Sequence, residues 1–139
     1  MAKVTLLKPT YTNLDLPLYE TNVPAGFPSP ATEYLGEELD LNTYLIKNPK
    51  SSFFARVEGD SMIGAGIYEG DLLVIDKSLN AKHHDIIIAC VNNEFTVKRL
   101  STNNGIQLIA ENRSYQPIKL TGEMEFVIWG VVTSVVRKF

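Results

Sequence analysis

The sequence predicts a mainly β domain, a compact antiparallel barrel or sandwich with one short helix and an extended N-terminal arm. Five of the seven prolines fall within the first 30 residues, where they oppose both helix and central strand. Short apolar runs separated by turn residues recur from residue 52 onward, as expected for closely spaced antiparallel strands. A single short segment between these two regions carries a helix start signal.

Residues 1–30 are predicted to form an extended regulatory arm, and residues 31–139 a β-rich domain. The arm is not purely polar, since apolar side chains such as Leu14, Leu16 and Val23 could dock on a surface. Residues 31–49 are expected to be mainly helical. Asp40 is a suitable N-cap for a helix over 41–46, and Pro49 ends it.

Strands are predicted from apolar runs and alternating patterns over 52–57, 71–76, 85–91, 94–100, 106–110 and 125–136. Asn92 and Asn93 suit a tight hairpin turn between two of them, because asparagine tolerates positive φ. Gly130 interrupts the last β-branched run and predicts a bend or a bulge.

Composition and charge argue against several classes of function. A net charge of −3 and a pI near 5.4 disfavour direct binding of nucleic-acid phosphates. No apolar stretch approaches the roughly 18 residues of a membrane span, and no signal peptide is evident.

The single cysteine, Cys90, permits no intrachain disulfide and favours a cytoplasmic, reducing location. His83 and His84 are adjacent without completing a metal-ligand pattern, so we expect a polar turn and no metal or cofactor.

Three elements suggest catalysis only when they are taken together. Ser61 lies after a strand and before a glycine-rich segment, where a serine is ordinarily a turn or capping residue. Lys98 lies in a predicted strand, where a lysine is ordinarily solvated, but burial would lower its pKa and make it a base for a serine. The small-residue bond Ala25–Gly26 lies upstream of both and is either a flexible hinge or a substrate.

The ordered set of motifs resembles the UmuD proteins, SOS mutagenesis proteins related to the self-cleaving domain of LexA and phage repressors. The matching segments run through almost the whole chain: AGFPSP at 25–30, LDLN at 39–42, GDSM at 59–62, IYEGDLL at 67–73 and EFTVK at 94–98. Each segment is weak alone, and their order makes the resemblance specific. It implies a LexA-like, UmuD-like β fold and a peptidase of the S24 type.

The resemblance also implies a mechanism. Ser61 would attack the carbonyl carbon of Ala25, and neutral Lys98 would take the hydroxyl proton and pass it to the Gly26 amine. Backbone amides of Asp60 and Ser61 would hold the oxyanion. In this family a RecA–single-stranded DNA filament stimulates the cut, and the processed homodimer joins a UmuC-type Y-family polymerase to form translesion polymerase V. A contact with the polymerase sliding clamp is a further expected partnership.

Other functions remain open at the level of sequence. The chain could be a regulator that works only by binding a translesion polymerase, with Ser61 and Lys98 kept as residues that no longer catalyse a reaction. It could also be a protease that acts on other proteins, as signal peptidases do with a similar pair of residues. A LexA-type repressor is disfavoured because residues 1–25 are too short and proline-broken for a helix-turn-helix.

Overall fold

The computed structural model describes residues 3–7, 9–10, 14–19 and 35–139 of the chain. Contacts divide the chain into two units, one formed by Met1–Pro9 with Asn48–Phe139 and the other by Thr10–Lys47. Both are built mainly from antiparallel strands, which confirms the predicted fold class.

The smaller unit contains a two-stranded antiparallel sheet followed by one helical turn. Strand β2 (Asp15–Tyr19) pairs with β3 (Leu35–Asp40), and helix α1 (Leu41–Leu45) follows directly. Asp40 caps the helix as predicted, since its Oδ2 accepts hydrogen bonds from the Thr43 amide at 3.0 Å and the Thr43 hydroxyl at 2.6 Å. These bonds, with a third from the Leu14 amide, lower the pKa of Asp40.

The prediction of a mainly helical segment over residues 31–49 was wrong for its first described part. Residues Leu35–Asp40 form β3, and the helix is confined to Leu41–Leu45. The cause is tertiary, because cross-strand hydrogen bonds to β2 satisfy the backbone of this segment. Residues 31–34 lie outside the described residues.

The larger unit is one eight-stranded antiparallel sheet. Its spatial order is β1-β4-β5-β10-β6-β7-β8-β9. Contacts between β1 and β7 show that the sheet curls. The strands are β1 (Lys3–Leu7), β4 (Ser52–Glu58), β5 (Leu72–Asp76), β6 (Ile86–Val91), β7 (Glu94–Ser101), β8 (Gln107–Ile109), β9 (Ile118–Lys119) and β10 (Phe126–Val136).

All six strands predicted from residue 52 onward are present, with ends displaced by a residue or two. Asn92 and Asn93 form the hairpin turn with φ of 50° and 66°. The register of β10 against β6 shifts between Ile128 and Gly130, which confirms the predicted irregularity. A Cβ at Gly130 would lie 2.5 Å from Ile75 Cγ2, so close packing against β5 explains the glycine.

Two apolar clusters fill the space on the two faces of the sheet. On β6, Ile88 belongs to one cluster, whereas its neighbours Ile87 and Ala89 belong to the other. The first cluster comprises Ala55, Val57, Met62, Ile67, Leu73, Ile75, Ile88 and Val97, and the second Ile87, Ala89, Leu100, Leu108 and Val131. Within the part of the chain that is described, no helix is both long and apolar enough to cross a membrane.

Candidate active site

Ser61 lies in a loop between β4 and a short 3₁₀ helix, Ile63–Ala65. Gly59 begins this loop with φ of 87°, a conformation that costs a glycine little and turns the chain away from β4. The next residue after the serine, Met62, is 1% exposed and packs into the first apolar cluster. Burial of this methionine anchors the loop, and the Ser61 side chain is itself fully buried.

Lys98 lies near the middle of β7, between β6 and β8, and is 2% exposed. Its Nζ donates hydrogen bonds to Ser61 Oγ at 3.0 Å, to Thr96 Oγ1 at 2.6 Å and to the Val97 carbonyl at 3.1 Å. Three neutral oxygens therefore surround the amine and fix its position.

Burial controls the charge of this lysine. Removal from water disfavours the ammonium form, and it lowers the pKa of Lys98 from 10.5 to about 8. An amine with a pKa near 8 is neutral in a sizeable fraction of molecules close to neutral pH. Neutral amines accept protons, so the site can remove the proton of a hydroxyl at hydrogen-bond distance.

A second loop, 111–115, holds the serine loop in place. Asn112 Nδ2 donates to the Asp60 carbonyl at 2.9 Å, and the Tyr115 hydroxyl donates to Asp60 Oδ1. The amide of Gly64 donates to the Glu111 carbonyl at 2.8 Å. A Cβ at Gly64 would lie 2.6 Å from that same carbonyl oxygen, so only glycine permits this approach.

Ser61 and Lys98, the two predicted catalytic residues, are 37 positions apart in the sequence, and the structure brings their side chains into contact. Asp60 lies beside the serine with its side chain exposed. Ala25 and Gly26, the predicted cleavage site, lie outside the described residues.

Sequence reasoning gave no role in this site to three of its residues. The two-residue period of a strand places Thr96 on the same face as Lys98, but a same-face position alone did not identify the threonine as a partner of the amine. Asn112 and Tyr115 lie 52 and 55 positions from Asp60 in the sequence, and no local sequence pattern predicts contacts between residues so far apart in the chain.

The other residues considered in the sequence have ordinary surroundings. His83 and His84 form the predicted turn, where His83 Nδ1 accepts a hydrogen bond from the Thr102 amide at 3.0 Å. Cys90 is a partly buried thiol in β6. Across residues 3–7, 9–10, 14–19 and 35–139, no group of three His, Cys, Asp or Glu side chains is arranged to hold a metal ion.

A curled antiparallel sheet that carries a buried serine in contact with a buried lysine is the arrangement of a serine peptidase that uses lysine as its base. Residues 17–133 match the family model described as Peptidase S24-like. Since this match spans most of the chain, the protein belongs to the peptidase S24-like family, a family of autoproteolytic serine peptidases.

Individual relatives narrow the resemblance. The chain is 47% identical to protein SamA of Salmonella typhimurium strain LT2 over 122 residues, which are 88% of this chain and 85% of SamA. It is 44% identical to protein MucA of Escherichia coli over 119 residues, or 85% of this chain and 82% of MucA. A LexA repressor of Clostridium perfringens is 40% identical over 76% of this chain and 52% of its own length. The predicted UmuD-like character is thereby confirmed.

Proposed function

We propose that this protein is a self-cleaving serine endopeptidase that cuts its own Ala25–Gly26 bond. Ser61 is the nucleophile and Lys98 is the general base. The observation that carries this assignment is the buried 3.0 Å contact between Lys98 Nζ and Ser61 Oγ. A buried amine of lowered pKa in hydrogen-bond contact with a buried hydroxyl is the arrangement that activates a serine without histidine.

In the first half of the reaction, neutral Lys98 takes the proton from Ser61 Oγ as that oxygen attacks the carbonyl carbon of Ala25. The carbonyl π electrons move onto oxygen and give a tetrahedral oxyanion. As this intermediate collapses, the C–N bond to Gly26 breaks. Lys98 returns its proton to the departing amine, which leaves an ester between Ser61 and residue 25.

In the second half, water replaces the departed amine. Lys98 takes a proton from the water, whose oxygen attacks the ester carbonyl. Collapse of the second tetrahedral intermediate breaks the bond to Ser61 Oγ, and the proton on Lys98 restores the hydroxyl. The products are an arm of residues 1–25, ending in a carboxylate, and a domain of residues 26–139.

The oxyanion is assigned to the backbone amides of Asp60 and Ser61. Both belong to the loop that leaves β4, and the amide of the nucleophile itself lies close to any group that Ser61 Oγ attacks. Fixed backbone donors stabilise developing charge well because they need not reorganise during the reaction, and one such donor contributes roughly 10²–10³ in rate.

Regulation in this proposal depends on position of the arm. A tethered peptide has a high effective concentration, so the cut must be limited by how often the arm adopts a productive pose and by the protonation of Lys98. The resemblance to UmuD proteins supports a RecA–single-stranded DNA filament as the stimulus that favours the cleavable pose.

The same resemblance supports the downstream partners. The processed homodimer would join a UmuC-type Y-family polymerase as a subunit of translesion polymerase V during the SOS response in the cytoplasm, with a contact to the polymerase sliding clamp. The acidic net charge of −3 agrees with DNA being reached through these partners rather than held directly.

The cleavage is tested by incubating the purified chain with an active RecA filament and, separately, without it at about pH 10, where Lys98 is neutral. Mass spectrometry should show a single cut between Ala25 and Gly26, and the variants Ser61→Ala and Lys98→Ala should stay whole. An uncut wild-type chain under both conditions would instead support a binding regulator.

The polymerase role needs its own assay. The 26–139 fragment should co-purify with a UmuC-type polymerase and support primer extension past a lesion. If the uncut Ser61→Ala chain supports extension equally, cleavage is not the activating step.

A further inference from the structure

The carbonyl oxygen of Asp60 accepts a hydrogen bond from the Asn112 side chain, and this contact acts on the peptide group next to the nucleophile. The Nδ2–O distance is 2.9 Å, whereas the Ile63 amide lies 3.4 Å from the same oxygen. Asn112 therefore supplies the shorter and stronger of these two contacts.

The Asp60 carbonyl and the Ser61 amide belong to one planar peptide group. In a trans peptide the C=O and N–H bonds point in opposite directions, and rotation about the C–N bond is hindered by about 18–20 kcal/mol. No peptide bond among the described residues is cis. Any partner that fixes the direction of the Asp60 carbonyl therefore also fixes the direction of the Ser61 N–H.

We propose that Asn112 is a positioning residue that aims the Ser61 N–H at the oxyanion by holding the Asp60 carbonyl from the opposite side. This role rests on the proposed function, in which the Ser61 amide is an oxyanion donor. Asn112 acts through the Asp60–Ser61 peptide and contacts none of the reacting atoms.

Asn112 is itself held in a defined orientation. Its Oδ1 accepts from the Ser114 amide at 3.0 Å, and its backbone carbonyl accepts from the Tyr115 amide at 3.1 Å. Both ends of the side-chain amide are thus engaged, which assigns Oδ1 to the turn and Nδ2 to Asp60.

The loop that carries Ser61 and loop 111–115 are joined by further hydrogen bonds on either side of the bond from Asn112 to the Asp60 carbonyl. The Tyr115 hydroxyl donates to the Asp60 side chain, and the Glu111 carbonyl accepts from the Gly64 amide. Glu111 is in turn paired with Arg99 of β7, the strand that carries Lys98. The loop of Asn112 therefore connects the nucleophile loop to the strand of the base.

The chain offers a selective variant for testing this role. Asn112→Asp keeps the oxygen that closes the turn with Ser114, but it removes the donor to Asp60 and sets an oxygen against the carbonyl. Asn112→Ser shortens the side chain, so that its hydroxyl lies too close to its own backbone to take the place of Nδ2 at the Asp60 carbonyl, and it adds no charge. Asn104→Asp makes the same charge change at an exposed loop position and serves as the control.

The first measurement needs no turnover. At about pH 6, roughly two units below the pKa of Lys98, the chain should remain whole. The residual dipolar coupling of the Ser61 N–H should change in Asn112→Asp and Asn112→Ser and stay as in wild type in Asn104→Asp, with couplings in β6 and β7 unaltered. An unchanged Ser61 coupling in both Asn112 variants overturns the inference.

The second measurement is the rate of self-cleavage against pH. Misdirecting one oxyanion donor should lower the plateau rate of the Asn112 variants by about 10- to 100-fold. Asn112→Ser should keep the wild-type pH midpoint, because the surroundings of Lys98 are unchanged. General loosening of the site would instead hydrate Lys98, raise its pKa and so move the pH midpoint upward. A wild-type plateau in Asn112→Ser contradicts the inference. A wild-type chain that is never cut refutes the proposed function instead, and the dipolar coupling still decides the orientation.

Discussion

Lys98 Nζ lies 3.0 Å from Ser61 Oγ in a site where both side chains are buried. The hydrogen-bond partners of Lys98 among the described residues are all uncharged: the hydroxyls of Ser61 and Thr96 and the carbonyl of Val97. Without a carboxylate to offset desolvation, the ammonium form is disfavoured. The same burial that makes this lysine costly to the fold makes it a base.

The rate of self-cleavage should rise with pH through a midpoint near 8. Lys98 must be neutral to accept the serine proton, and burial lowers its pKa to about 8. The rate should be low when the amine is charged and level off above the midpoint. Rates from fragment masses over a pH series measure this directly. A Lys98→Arg chain should show no rise, because guanidinium keeps its proton over this range.

Thr96→Val should lower both the rate and the pH midpoint. The threonine Oγ1 accepts from Lys98 Nζ at 2.6 Å and thereby favours the charged amine. Loss of this acceptor should move the midpoint to lower pH. It also frees the amine to turn away from Ser61, so the plateau rate should fall by roughly tenfold.

Thr133→Val is the matched control for the threonine variant. Thr133 lies on β10, and its hydroxyl donates to the Val74 carbonyl of β5 at 3.3 Å, so this variant loses a bond between two strands that do not carry the base. The midpoint should remain at the wild-type value. An equal displacement in both variants would show that the effect comes from general destabilisation.

Asp71→Asn should destabilise the large unit. The buried Asp71 carboxylate accepts from Arg137 Nε and Nη2, both at 2.6 Å, and from the Tyr68 amide at 2.7 Å. Arg137 lowers the pKa of Asp71, and the loss of this charged pair should cost about 1–2 kcal/mol in the free energy of unfolding. Exposed Glu123→Gln should cost almost nothing.

The contribution of Asp71 should depend on pH with a definite sign. Because the folded-state pKa lies below the unfolded value near 3.8, the stabilisation is complete above that value and is lost as pH falls through the folded pKa. Urea titrations at about pH 7 and pH 3 measure the difference between wild type and Asp71→Asn. A difference that grew on acidification would contradict this account.

Gly64→Ala should destabilise the protein and slow cleavage together. Its Cβ would lie 2.6 Å from the Glu111 carbonyl oxygen, so the two loops must separate by several tenths of an ångström or more. The expected cost is about 1–3 kcal/mol in thermal or urea unfolding. Gly122→Ala, which meets nothing within 4 Å, is the control and should be neutral or slightly stabilising.

Much of the larger unit could be predicted from local patterns. Apolar runs bounded by turn residues located β4, β5, β6, β7, β8 and β10. A strand that is buried on one or both faces shows this in its own sequence, as alternating apolar residues or as a short apolar run. Asn92-Asn93 and Gly130 were predictable for the same reason, because turn and bulge chemistry is local.

The missed elements depend on contacts between distant segments. Leu35–Asp40 is a strand because it pairs with β2, and Lys3–Leu7 is a strand because it pairs with the edge of β4. At the site, the residue types of Ser61 and Lys98 were visible in the sequence, but the burial that lowers the lysine pKa was not. Asn112 and Tyr115 reach Asp60 only in the folded chain.

The most direct test of the central claim is the intact mass of the wild-type chain after incubation at about pH 10, beside Ser61→Ala treated identically. The account predicts that the wild-type chain alone is converted to two species, residues 1–25 and 26–139. A wild-type chain that stays whole, or a Ser61→Ala chain cut at the same bond, would contradict it.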